Sequence, residues 1–307
     1  MSTKCGIVGR FAPSPSGIMH LGNLASYLLA WLDARSCGGK IILRIEDLDP
    51  DRCSKSYALQ IADDLSFLGL DWDNKLSEKY YQSRRTKLYE DIFEQLLSRD
   101  MLYPCYCSRS QRLAASAPHP NEATRDAGCR CKHMTADERR EAEACGRKPA
   151  WKISVPDKEI VFTDSHYGTV RQNLSDGGDF IIRRSDGVFA YQLAVSFDDM
   201  AMGVNRVVRG RDLLDSTAKQ IWLINELGGT PPSYCHAPLL IAQGGRKLSK
   251  RDNDLNMKKL RESYGAEEIL GLLTRQLNLG SGEPVSAKEL LNGFDWSRVP
   301  KDDIVIK

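Results

Sequence analysis

RFAPSPSGIMHLGN (residues 10–23) joins the exit of an extended strand, a proline-fixed turn and the start of a helix. Upstream, CGIVGRF (5–11) is an apolar run of strand length. Pro13 and Pro15 lack the backbone N–H that a ladder needs, and they push Ala12 and Ser14 towards extended geometry, so the strand ends there. Gly17 supplies a permissive backbone. Downstream, HLGNLASYLLAWLDARSCGG (20–39) sets Leu21, Leu24, Leu28, Leu29 and Leu32 at helical spacing and stops at Gly38 and Gly39. His20 therefore falls at or just before a helix N-terminus, where unpaired N–H groups and the positive end of the helix dipole attract phosphate. Gly22 lets a flat base or a phosphate approach the backbone closely. Two readings stay open on these residues alone: a phosphate-binding turn, or a proline-rich turn with His20 as a capping or solvated residue.

Working outward, KIILRIE (40–46) is the near-continuous apolar run expected of a strand covered on both faces. Helices are expected over 54–68 and, tyrosine-rich, over 79–99. Strand, helix, strand, helix with short connections predicts a right-handed βαβ unit and a Rossmann-like parallel sheet, an α/β fold. Ligands bind such sheets at the carboxyl ends of the strands, where residues 10–17 and 46–49 both fall. From Tyr103 the composition changes: CYCSRSQRLAASAPHPNEATRDAGCRCKHM (105–134) is polar and rich in Pro and Cys, and 151–170 alternate in short β-like pieces broken by Pro156, Asp157 and Gly168. The expected organisation is a catalytic first half over 1–102, a zinc-bearing insertion over 103–187, a second half over 188–250 and a short helical region over 251–307. In the second half a helix is expected at FAYQLAVSFDD (189–199), a strand at 206–209, a helix at 213–227 and a strand at 238–242. Leu270, Leu272, Leu273 and Leu277 give the last region an apolar face.

Basic and acidic residues, 43 against 41, leave a net charge of +2, so any polyanion site must be a local patch. No apolar run approaches bilayer-spanning length, and the start of the chain lacks the basic-then-apolar pattern of a signal peptide, so the expected location is the cytoplasm. The nine cysteines fit no compact disulfide scaffold. Four of them, Cys105, Cys107, Cys129 and Cys131, form two C-x-C pairs that can close a tetrahedral structural zinc site. The alternative is four reduced surface thiols; for the zinc site His119 and His133 are spare candidates, and one could replace a cysteine. Four protein ligands would leave no open position for catalysis.

Two further sets of residues bear chemistry. In GGRKLSKRDN (244–253), Lys247 and Lys250 flank a serine after a strand, where two ammonium groups could neutralise charge on a triphosphate. A solvated basic loop is the competing reading. The segment is not a Walker A sequence, and no G-x-G-x-x-G follows a strand. Arg10, Glu46 and Arg209, with Tyr191 nearby in the pattern, suit an acidic amino acid, whose carboxylates call for arginines and whose ammonium calls for an anion. A structural ion-pair network would use the same residues.

Together these sites resemble the class I aminoacyl-tRNA synthetases. RFAPSPSGIMHLGN is similar to the first signature of that class as glutamyl enzymes write it, with His20, Leu21, Gly22 and Asn23 in place of its HIGH tetrapeptide, and KLSK (247–250) resembles the second. LRIEDLD (43–49), FAYQLAVSFDD and VVRGRDLLDSTAKQ (207–220) also match the glutamyl pattern. About fifty residues after KLSK are too few for the anticodon-binding region of a glutamyl-tRNA synthetase, so the resemblance is to the short glutamyl-queuosine tRNA(Asp) branch. It implies activation of L-glutamate with ATP and Mg²⁺ to glutamyl-adenylate without tRNA, then transfer to queuosine in the anticodon of tRNA(Asp), by a monomer. His20, Lys247 and Lys250 would be catalytic, and His20, Gly22, Asn23 and Lys250 would hold ATP. Arg10, Ala12, Ser14, Glu46, Tyr191 and Arg209 would hold glutamate, Glu46 on the ammonium and Arg209 on the side-chain carboxylate. Two departures stand out: Arg251 replaces the serine that usually follows the lysine signature, and no tyrosine precedes Cys129, so four cysteines are expected on zinc. The alternatives are a truncated glutamyl-tRNA synthetase charging a tRNA 3′ end and a catalytically silent tRNA-binding paralogue.

Overall fold

The structure, a computed structural model, describes residues 6–107, 129–245 and 256–306. β1 (Val8–Phe11) pairs in parallel with β2 (Lys40–Leu43), Arg10 opposite Ile42, and α1 (Leu21–Arg35) makes the crossover. α2 (Lys55–Phe67) begins at Ser54, whose hydroxyl accepts the Tyr57 N–H. α3 (Thr86–Ser98) is shorter than the helix expected over 79–99. The Ile45 N–H donates to Tyr80 O at 2.8 Å and the Gln82 N–H to Ile45 O at 3.0 Å. These bonds draw 78–84 alongside the end of β2 as two 3-10 turns, so tertiary pairing overrides local helical pattern there.

β3 (Leu102–Cys105), β4 (Ala150–Ile153) and β7 (Phe180–Arg183) form an antiparallel sheet, with α4 (Ala136–Ala144) beside the cysteines. β5 (Glu159–Asp164) and β6 (Gly168–Asn173) make a hairpin. After α5 (Tyr191–Ala201), β8 (Arg206–Gly210) leads through α6 (Thr217–Glu226) to its parallel partner β9 (Ser233–Ala237). β5 joins β9 at Asp164 and Tyr234, so the segment read as an insertion is bonded into the parallel sheet. β9 was not expected, because Ser233 and His236 interrupt any apolar run in SYCHA. Tyr234, Cys235, His236 and Ala237 are nonetheless all buried. Pro238, without an N–H, ends the strand, and of the strand expected at 238–242 only β10 (Leu240–Ile241) forms.

The β1 and β8 strands meet where Asn205 bonds Val8 through both its N–H (3.1 Å) and its side-chain oxygen (2.8 Å). That seam puts the carboxyl ends of β1 and β8 side by side. α1 is apolar nearly all round and is accordingly buried on both faces. Leu24, Leu28 and Leu29 share one core with Phe11, Ile41 and Leu43 and with Ile269, Leu270, Leu273 and Leu277. The last four lie on or just after α8 (Ala266–Gln276), which follows α7 (Met257–Ser263) and precedes α9 (Ala287–Leu290). β11 (Ile304–Val305) pairs with β10, and Trp296 Nε1 donates to Asp33 Oδ1 at 2.6 Å. The C-terminal region is thus fastened to the back of α1.

Candidate active site

A cleft of about 1010 Å³ opens at the carboxyl ends of β1 and β8, between the starts of α1 and α5. That is the upper end of the ~300–1,000 Å³ usual for small-molecule sites, more than a lone amino acid needs. Its wall includes Arg10, Ala12, Ser14, His20, Gly22, Asn23, Glu46, Tyr191 and Arg209, so every expected amino-acid and nucleotide residue among the described residues is brought together. Lys247, Lys250, Arg251 and His119 lie outside the described residues.

The proline turn is strapped down by backbone bonds. The Glu46 N–H donates to Pro13 O at 2.9 Å and the Ser54 N–H to Pro15 O at 3.0 Å. Gly17 has φ 153°, a torsion that residues with a side chain rarely adopt. His20 is the N-cap residue of α1, and Asn23 Oδ1 accepts its N–H at 3.1 Å. A Cβ on Gly22 would lie 3.1 Å from the His20 ring, so glycine there leaves room for the imidazole over the first turn. Leu240 lines the cleft, Asn256 bridges to His20, and the Met257 N–H donates to Met19 O at 2.8 Å.

Charge in the floor of the cleft is paired. Arg44, with no exposed surface, donates to Asp199 Oδ1 at 2.6 Å and to Glu46 Oε1 at 2.9 Å. Arg10 donates to Val208 O at 2.8 Å and places Nε 3.7 Å from Asp199. Burial opposes the charge on Arg44, but Asp199 and Glu46 outweigh it and hold the guanidinium ionised. Burial pushes the Glu46 carboxyl above its ordinary value even though Arg44 and Arg10 pull it down. A ligand ammonium would complete the compensation. Tyr27 and Tyr191 face the same floor, their hydroxyls raised first by burial.

On the far wall Arg209 is held from several sides. It donates from Nε to His236 Nε2 (3.1 Å), from Nη1 to Gln220 Oε1 (2.7 Å), and from Nη2 to Thr217 Oγ1 (2.9 Å) and Leu213 O (3.3 Å). Its guanidinium also lies 5.2 Å from the centre of the Tyr234 ring. Burial drives His236 below its ordinary 6.5, so the ring is neutral. Asp164 is lowered against its own burial, chiefly by hydrogen bonds from His236, Tyr167 and His166.

Away from the cleft, Cys105, Cys107, Cys129 and Cys131 converge with all four sulfurs within 4.8 Å of one another. The closest approaches are 3.5 Å (Cys105 to Cys129), 3.6 Å (Cys107 to Cys129) and 3.7 Å (Cys107 to Cys131). Four thiolates around one zinc at ~2.3 Å would be about 3.8 Å apart, whereas a disulfide would need about 2.05 Å. The donor set therefore fits a tetrahedral metal and no disulfide. Burial lifts the Cys107 thiol to about 11. Cys131 goes the other way despite burial, because the Tyr106 N–H, 3.3 Å from its sulfur, and the facing thiols favour its thiolate.

Residues 6–301 match the model of the tRNA synthetases class I (E and Q), catalytic domain. The chain belongs to that family. It is 44% identical to a protein named Glutamyl-Q tRNA(Asp) synthetase from Symbiobacterium thermophilum, over 98% of this chain and 96% of that one. It is 46% identical to one of the same name from Nitratidesulfovibrio vulgaris, over 87% and 85%. A solved glutamate tRNA ligase from Elizabethkingia meningosepticum, in complex with its amino acid, superposes with a TM-score of 0.80 at 24% identity, covering 98% of this chain and 67% of that one. The shared fold is the class I synthetase catalytic fold.

Several residues of this class I synthetase cleft went unread in the sequence. Arg44, Asp199, Asp164, His236 and Tyr27 all support or line it, and only Arg44 carried a signal. A charge inside the apolar run KIILRIE has to be paired if the strand is buried. No helix among the described residues is long and apolar enough to cross a membrane.

Proposed function

We propose that the chain activates L-glutamate with ATP to glutamyl-adenylate, without tRNA, and passes the glutamyl group to queuosine in the anticodon of tRNA(Asp). The observation that carries this reading is the match to proteins named Glutamyl-Q tRNA(Asp) synthetase over nearly the whole of both chains. A Glutamate--tRNA ligase 2 from Syntrophus aciditrophicus is 38% identical, but the alignment spans only 63% of it.

In the first step the α-carboxylate of glutamate attacks the α-phosphorus of ATP, the new P–O bond forms, and pyrophosphate leaves. In the second, a hydroxyl of the queuosine cyclopentenediol attacks the acyl carbon, loses its proton and expels AMP. Neither step needs a covalent protein nucleophile, so the protein's work is positioning and charge stabilisation. Glu46 would take the substrate ammonium, which restores balance around its raised carboxyl. Arg10, Ala12 and Ser14 would line the amino-acid pocket, and Tyr191 and Arg209 would meet the side-chain carboxylate. His20, Gly22 and Asn23, at the positive end of α1, would hold the phosphates together with Lys247 and Lys250. Mg²⁺, when bound with ATP, offsets phosphate charge. Zinc, held by Cys105, Cys107, Cys129 and Cys131, would be structural.

Labelled glutamate offered with queuosine-containing and queuosine-free tRNA(Asp) tests the acceptor. Label is expected only on the queuosine-containing tRNA, stable to removal of the 3′-terminal adenosine. Label on the 3′ end of either tRNA would make the chain a truncated glutamyl-tRNA synthetase instead.

A further inference from the structure

Arg209 has five N–H groups, and four are committed: Nε to His236, one on Nη1 to Gln220, and two on Nη2 to Thr217 and Leu213. One remains, on Nη1. With a single donor left for a ligand, the direction in which the guanidinium is held decides what it can recognise. Its Nε–H points at His236 Nε2, which must therefore offer a lone pair. The ring proton is then on Nδ1, 2.7 Å from Asp164 Oδ2. Asp164 has no freedom to turn: Oδ1 accepts the N–H groups of His166 (3.0 Å) and Tyr167 (2.9 Å), and Oδ2 also accepts the N–H of His236 (3.1 Å). Arg209 is 4%, Asp164 1% and His236 0% exposed, so water does not compete for these bonds.

We infer that Asp164 and His236 are a positioning pair, locking the imidazole tautomer that aims Arg209 and thereby setting the preference of the cleft for a side chain ending in a carboxylate. The inference rests on the glutamate reading above. Were the proton on Nε2, Thr217 Oγ1 at 3.3 Å could accept it, but two N–H groups would face each other across 3.1 Å and the guanidinium would have to swing away. Because Asp164 ends β5 and His236 lies in β9, the same bond also joins the hairpin to the sheet, which is the purely structural role the test must separate.

The test is ATP–pyrophosphate exchange in the wild type, His236→Leu and His236→Gln. Leucine removes the acceptor at similar volume, whereas the glutamine amide oxygen can still accept from Arg209. His236→Leu is expected to raise the KM for glutamate about tenfold or more, the loss of one charge-assisted hydrogen bond, to leave the KM for ATP unchanged, and to narrow the preference for glutamate over glutamine. His236→Gln is expected to recover most of that loss. Wild-type values in a folded His236→Leu variant would overturn the inference while leaving glutamate activation standing; wild-type exchange that ignores glutamate would remove both. Should His236→Leu not fold, nitrogen-15 spectra of histidine-labelled wild type decide. Nδ1 protonated and Nε2 bare at neutral pH is expected, and an Nε2–H tautomer or an imidazolium would overturn it.

Discussion

Glu46 closes the apolar run KIILRIE, three residues beyond β2, and is buried, and Arg44 beside it answers its charge only in part. Burial raises its pKa above the ordinary 4.5, so the native carboxyl releases its proton later than the unfolded one. Between those two values the native chain binds more protons, and stability falls as pH rises. In the absence of ligand, the contribution of Glu46 is fully present below 4.5 and lost as pH climbs through its native value. Glu46→Gln is expected to flatten that fall in urea denaturation across pH 4 to 8 and, by removing the partner proposed for the substrate ammonium, to raise the KM for glutamate at least tenfold. An unchanged pH slope would contradict the account. Glu46, Arg10 and Arg209 were legible because each is a charge at the end of an apolar run. Asp199 was not, because nothing in the linear order says that it meets Arg44, 155 residues away. Asp164 and His236, 72 residues apart, were hidden for the same reason.

Among elements, those carried by local pattern formed where expected. α1 follows its leucine spacing, and β2 begins with its apolar run but stops at Leu43, beyond which Ile45 bonds Tyr80 and Gln82. Elements decided by distant pairing did not: 78–84 were drawn against Ile45, and β9 is a central strand whose His236 is buried by its neighbours. The convergence of the cysteine pairs was legible because C-x-C holds two thiols side by side, and β3 needed only to bring the pairs together. A bound metal would anchor the end of β3 to the 3-10 turn Arg130–His133. Freshly purified protein is expected to hold about one zinc per chain, and Cys131→Ser or chelation to lower that towards zero. Amide-exchange protection should then be lost over 102–107 and 129–134 but kept in β1 and β2. Unchanged protection after chelation, or zinc far below one per chain, would contradict a structural site.

At the scale of the molecule, two parallel pairs meet along the Val8–Asn205 seam, and that seam sets Arg10 and Glu46 opposite Arg209 across one cleft. Order along the chain foretold an α/β sheet with ligands at its strand ends, but not that the β5–β6 hairpin would bond into the sheet through Asp164 and Tyr234. It also brought His20 to the start of α1, where Asn256, the first described residue after the lysine-bearing segment, pairs with it. Built this way, the cleft joins glutamate to the α-phosphate of ATP without tRNA. Glutamate-dependent ATP–pyrophosphate exchange, run on purified protein freed of all RNA, tests it most directly. Robust exchange is expected with L-glutamate and little with L-glutamine or L-aspartate; exchange that appears only when tRNA is added back, or that does not distinguish the three amino acids, would overturn this reading.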